Sequence, residues 1–128
     1  MTILYTGKRQ IHNSNGRTDM KRGLCTVLRK DGTPLPSLFI SEERYPGRVF
    51  EWGYSGVLPA NLARSILVDF LNKDSDDEFF NAVVNRFCRE VVVNLDYMDW
   101  EIEESQLKNY LTRIITEIYG DELYENDL

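Results

Sequence analysis

Residues 75–95, SDDEFFNAVVNRFCREVVVNL, decide how this chain folds. Phe80, Val83, Val84, Phe87, Cys88, Val91, Val92 and Leu95 recur at i, i+3, i+4 and i+7, so one helix face gathers the apolar side chains over four turns. Ahead of them, Ser75-Asp76-Asp77-Glu78 reads as a capping box. In it the Ser75 hydroxyl and the Glu78 carboxylate would satisfy each other's backbone amides, with acids at the positive helix end. The spacing predicts a long helix with one face committed to a core.

The same rule extends outward in both directions. Upstream, Ala63, Ile66, Leu67, Phe70 and Leu71 fall at helical spacing, and Leu62 and Val68 widen the stripe almost all the way round. A central helix is expected there, opened by Pro59, whose missing N–H is no loss in a first turn. Downstream, Leu107, Tyr110, Leu111, Ile114, Ile115 and Ile118 predict a third helix over residues 104–119, stopped by Gly120. Between the last two helices, Trp100-Glu101-Ile102 fits either a short strand or a bridge.

The first third of the chain reads as strands. Residues 3–5 favour extended structure and are closed by Thr6-Gly7; residues 24–29 form a second run, and Asp31-Gly32 turns the chain toward residues 33–40. Pro34 and Pro36 lack amide donors, which confines that returning segment to an edge or to irregular structure. Val49-Phe50-Glu51-Trp52 alternates apolar and charged residues, as a half-buried strand does. Strands first and helices after is the pattern of an α+β domain. The expected architecture is a small antiparallel sheet of three to four N-terminal strands packed against three amphipathic helices. With 128 residues the chain makes one domain, over residues 1–120, and leaves residues 121–128 as a frayed acidic tail.

Charge is unevenly spread. The chain carries 15 Lys and Arg against 21 Asp and Glu, for a net charge of −6. Residues 1–32 nevertheless hold seven of the cations (Lys8, Arg9, Arg17, Lys21, Arg22, Arg29, Lys30) and only Asp19 and Asp31 as acids. Such a basic segment either meets an anionic partner or pairs internally with acidic helices. Lys8, Arg9, Arg17, Lys21 and Arg22 are therefore candidates for nucleic-acid contact, opposed by the acidic total and by the lack of a helix with clustered cations. Cys25 and Cys88 lie far apart in apolar surroundings, which fits reduced thiols and a cytoplasmic setting. No apolar run is long enough to span a bilayer, and nothing at the N-terminus resembles a secretory leader.

The most unusual stretch is Phe50-Glu51-Trp52-Gly53-Tyr54-Ser55-Gly56-Val57-Leu58-Pro59-Ala60-Asn61. It delivers the chain from an extended run onto a helix N-terminus, whose open amides attract anions. Glu51, Trp52, Tyr54, Ser55 and Asn61 are the candidate ligand-binding residues, and Glu51, Ser55 or Asn61 would equally serve to satisfy those amides from within. Enzyme signatures fail. Gly53-Tyr54-Ser55-Gly56 lacks the Gly that a nucleophile elbow needs where Val57 stands, and His12 is the only histidine. Asp74, Asp76, Asp77 and Glu78 lack the central Gly and spaced terminal Glu of a calcium loop. Gly53 and Gly56 are no dinucleotide fingerprint. Catalytic residues, a metal and a cofactor are accordingly not expected.

Tyr5-x-Gly7-x-Arg9, Phe50-Glu51-Trp52-Gly53-Tyr54 with Gly56, Pro59-Ala60-x-Leu62-Ala63, and Trp100-x-Ile102 together resemble a family of small prokaryotic and phage proteins of unknown function. The resemblance covers the first strand and most of residues 50–118. It implies a compact domain encoded in a prokaryote or phage and supplies no activity. In that family the turn after Tyr54 is richer in small residues, whereas Val57 and Leu58 are bulky here. The expected function is a non-enzymatic binding or regulatory module that touches another macromolecule, a protein in the first place, with oligomeric state open. The alternative is a small-anion or nucleotide-binding domain, catalytic in the extreme case, that uses the 51–61 turn.

Overall fold

A computed structural model describes residues 2–10 and 24–126, the side chains of residues 121–126 excepted. Strands β1 (Ile3–Gln10) and β2 (Leu24–Arg29) come first, followed by helices α1 (Val57–Leu71) and α2 (Glu78–Glu90). Strand β3 (Asp99–Glu103) then precedes helix α3 (Glu104–Asn126). The three strands form one antiparallel sheet in the order β2-β1-β3. This is an α+β fold, with a three-stranded sheet against three helices.

β1 is longer than residues 3–5 because its period-2 pattern continues through Gly7: Tyr5, Gly7 and Arg9 are buried, while Lys8 and Gln10 are exposed. The inner face of the sheet adds Cys25, Val27, Trp100 and Ile102 to one core with Leu62 and Ile66 of α1, Phe87 of α2 and Leu107 of α3. The third strand is Trp100-Glu101-Ile102 and its flanks, the segment that sequence left undecided. It docks beside the first strand of the chain, Gly7 opposite Trp100.

The predicted strand at residues 49–52 does not form. Val49, Phe50, Glu51 and Trp52 are all buried in an irregular segment that fills the space between sheet and α1. After the Asp31-Gly32 turn the returning chain makes a single bridge, Leu28 to Pro34, with the Leu35 amide donating to the Val27 carbonyl at 3.0 Å. That irregularity is the one the two prolines predict.

α1 is central: Leu62, Ala63, Ile66 and Leu67 are fully enclosed, and Asn61, Arg64 and Ser65 are buried beside them. It starts at Val57, two residues before Pro59, and ends where Asn72 turns left-handed at φ 51° and its amide reaches the Val68 carbonyl. α2 is not capped by Ser75. Asp77 is the cap, accepting from the Phe80 amide at 2.6 Å, while the Ser75 hydroxyl donates to Asp77 at 2.8 Å. The helix also closes sooner than its apolar period: it ends at Glu90, and a 3-10 turn, Val92–Asn94, carries the last part of the pattern. α3 runs through Gly120 to Asn126, so most of the segment expected to be a frayed tail is helical backbone; residues 127 and 128 lie outside the described residues.

Candidate functional site

The 51–61 turn begins with a carboxylate that has nowhere to go but inward. Flanked by Phe50 and Trp52, Glu51 is 1 % exposed. It meets Arg9, which the inward register of β1 places at the same depth. The Arg9 guanidinium donates to both carboxylate oxygens, Nη1 to Oε2 at 2.7 Å and Nη2 to Oε1 at 2.5 Å, a bidentate fork. Its Nε donates to the Tyr97 carbonyl at 2.8 Å. The cation lies 3.8 Å from the centre of the Tyr97 ring and 5.0 Å from that of Trp52. Burial pulls the Arg9 pKa down, but the hydrogen bonds and charge of Glu51 outweigh it and hold the group above its ordinary value.

Trp52 completes the corner. It has no exposed surface, its Nε1 donates to the same Tyr97 carbonyl at 2.9 Å, and its ring meets Trp100 edge-on at 5.5 Å. Trp100 in turn lies across Gly7: a Cβ on Gly7 would sit 2.2 Å from the indole. At Gly53 the chain takes φ 84°, a left-handed conformation that suits glycine, and its amide donates to the Val92 carbonyl. The corner is thus filled by the protein's own side chains.

Asn61 has a different task from the one its position suggested. Its Nδ2 donates to the Val49 carbonyl at 2.8 Å and the Ser37 hydroxyl at 2.9 Å, and its Oδ1 accepts from the Phe39 amide at 3.2 Å. It staples two loop segments to α1. Nor does Glu51 or Ser55 cap this helix: Gly56 stands at the cap position with no side-chain hydrogen bond. Tyr54, 43 % exposed, and Ser55 remain on the surface. The five candidate ligand residues are therefore divided, with Glu51, Trp52 and Asn61 inside and Tyr54 and Ser55 outside.

The candidate nucleic-acid residues are divided too. Lys8 is exposed on β1. Arg9 is a correction: it belongs to the interior, its charge engaged by Glu51, and is not presented to a phosphate. Arg17, Lys21 and Arg22, like His12, lie outside the described residues.

Two further clusters escaped sequence reading. The Tyr5 hydroxyl donates to Asp69 Oδ2 at 2.6 Å, and Arg29 reaches Asp69 Oδ1 at 3.1 Å. These residues, with Leu4, Lys30 and Asp31, line an open cavity of about 490 Å³. Burial, and then the Asp69 carboxylate, push the Tyr5 pKa well above the usual phenol range. The lining holds two cations and two carboxylates, so it favours neither sign of ligand. Elsewhere Arg64 binds Asp74, Asn81 and the Ser75 carbonyl, tying α1 to the start of α2. The hints were an Arg and an Asp on the otherwise uncharged α1, Arg64 and Asp69. Among the described residues no group of three or more His, Cys, Asp or Glu side chains could hold a metal ion, and no helix is long and apolar enough to cross a membrane.

The surface offers apolar material instead. Phe70 and Leu71 at the end of α1 and Leu111, Thr112 and Ile115 of α3 line a groove of about 440 Å³. No curated protein and no solved structure matches this chain. A family profile does match, over residues 5–113, a span that takes in most of β1, the filled corner and the first part of α3. On that match the chain belongs to DUF6166, a family of unknown function.

Proposed function

We propose that the protein is a non-enzymatic binding module of prokaryotic or phage origin that works in the cytoplasm by contact with another macromolecule, a protein in the first place. The observation that carries this reading is where the chemistry went. Arg9, Glu51 and Asn61, the side chains best suited to hold a small ligand, are buried and bonded to one another or to backbone. Part of what faces outward is apolar: Leu71 and Ile115, 42 % and 37 % exposed, line the α1/α3 groove, and Val57 and Tyr119 are 75 % and 55 % exposed. Exposed apolar surface gathered in a groove is what a macromolecular contact needs. The thiols of Cys25 and Cys88, far apart in sequence, fit a reducing compartment.

Immobilised full-length chain should retain one stoichiometric protein from host lysate at low salt. Leu71→Asp and Ile115→Asp should lose that protein while melting like the wild type. No stoichiometric partner at all would defeat the reading; equal capture by wild type and both variants would move the contact away from the groove. A thermal-shift screen with nucleotides and small anions tests the alternative, and a shift abolished by Asn61→Ala would restore it.

A further inference from the structure

The two edges of the sheet are treated differently. The outer side of β2 is covered by its own chain: the Leu35 amide donates to the Val27 carbonyl, the Arg29 amide to Thr33, and the Cys25 amide to Gly47. Among the described residues β3 pairs on one side only, with β1. The Arg9 amide donates to the Met98 carbonyl at 3.1 Å. An antiparallel ladder alternates bonded and non-bonded pairs, so Gly7 and Trp100 form the next bonded pair. Asp99 and Glu101, opposite Lys8 and Thr6, therefore turn their N–H and C=O groups away from β1. At Glu103 the edge ends, because its amide is taken by Gln106 Oε1 at 3.0 Å.

The side chains on this edge repeat with the same period. Asp99, Glu101 and Glu103 alternate with the buried Trp100 and Ile102, so three carboxylates stand on the outer face about 7 Å apart. Asp99 and Glu101 are exposed, and among the described residues neither is held in an ion pair. Just before them Tyr97 and Met98 are 49 % and 40 % exposed, an apolar shoulder at the end of the acidic row.

From this juxtaposition we infer that β3 is a docking edge for an extended basic peptide segment of a partner protein, which adds a fourth strand antiparallel to β3. The inference rests on the binding reading above and names the partner's chemistry. Backbone groups of Asp99 and Glu101 supply the ladder. Lys or Arg at every second position of the incoming strand falls opposite those two carboxylates, where opposite charges attract across a strand pair. Small or β-branched residues between them lie beside Trp100.

The test uses the full chain and two short synthetic peptides, one alternating Lys and Thr, the other Glu and Thr. Amide hydrogen exchange and chemical shifts are followed by NMR. The Lys peptide should slow exchange at the Asp99 and Glu101 amides and the Glu peptide should not; the effect should weaken as salt rises. Asp99→Asn with Glu101→Gln should lose on the order of tenfold in affinity for the Lys peptide at unchanged melting temperature. Asp99→Lys with Glu101→Lys should transfer the preference to the Glu peptide. No protection at these amides, or equal protection by both peptides, overturns the inference. So does the result in which no peptide binds and the neutralised variant self-associates, since the carboxylates then serve only to keep an open edge from pairing. A lysate partner that protects other residues and leaves Asp99 and Glu101 unprotected overturns the edge while sparing the binding reading. Binding of the Lys peptide with no lysate partner does the reverse.

Discussion

Glu51 and Arg9 stand 42 positions apart in sequence and make the most enclosed ion pair of the described residues, with side chains 2 % and 1 % exposed. Removing one partner strands the other. Glu51→Ala should cost about 3–5 kcal/mol in urea denaturation, and Arg9→Met with Glu51→Leu should regain most of it, because a buried pair replaced as a unit is often neutral. Sequence hid this pair. Glu51 sits in an alternating run, where a charged residue reads as solvent-facing, and nothing local points to Arg9. A usable sign was present in β1, where Arg9 shares the period of Tyr5 and Gly7 and so faces inward. Gly7 carries the second prediction at this scale. With the Trp100 indole 2.2 Å from where a Cβ would stand, Gly7→Ala should destabilise by about 1–3 kcal/mol, and less in a Trp100→Leu background.

At the scale of elements, the helices were legible and the strands only partly so. Helical period is local: Phe80, Val83, Val84 and Phe87 announce their shared face within two turns, and all four are buried. Caps are less secure, because Ser75 and Asp77 both offer an oxygen and only geometry chooses; the chain chose Asp77. The Phe80 amide, and then the Ser75 hydroxyl, hold the Asp77 pKa below the usual carboxylate value. A carboxyl depressed in the folded state stabilises above its unfolded pKa, about 3.9, and that contribution is lost as pH falls through the lower folded value. Asp77→Ala should therefore melt below the wild type at neutral pH, more so than Ser75→Ala, and the gap should close under acid. A strand such as β3 has no comparable local announcement. Its partner is β1, and Trp100-Glu101-Ile102 is too short for its alternation to decide alone. Gly120 misled for the opposite reason: a glycine permits a helix to stop without compelling it, and α3 continues to Asn126.

Across the whole molecule, the Tyr5 hydroxyl fastens sheet to α1 by its bond to Asp69. The phenol must stay neutral to make that bond. A phenol whose pKa is raised on folding stabilises fully below its ordinary value of 10.0 and progressively loses that contribution as pH climbs above it. Wild-type stability should thus fall more steeply than that of Tyr5→Phe when melts are compared from neutral pH into the alkaline range. The layered architecture was readable from the sequence because the order of strands and helices restricts how layers stack. The place of the last strand was not, and it sets how the chain comes together. The middle strand of the sheet leaves the ribosome first, while one of its two neighbours follows only after α1 and α2. Until then Arg9 lacks Tyr97, Gly7 lacks Trp100, and the sheet has two of its three strands. Closure of the sheet is consequently a late event in synthesis, slow by the standards of local contacts, and a chain cut short before Asp99 keeps the sequence of α1 and α2 but loses α3 and the strand that pairs with β1.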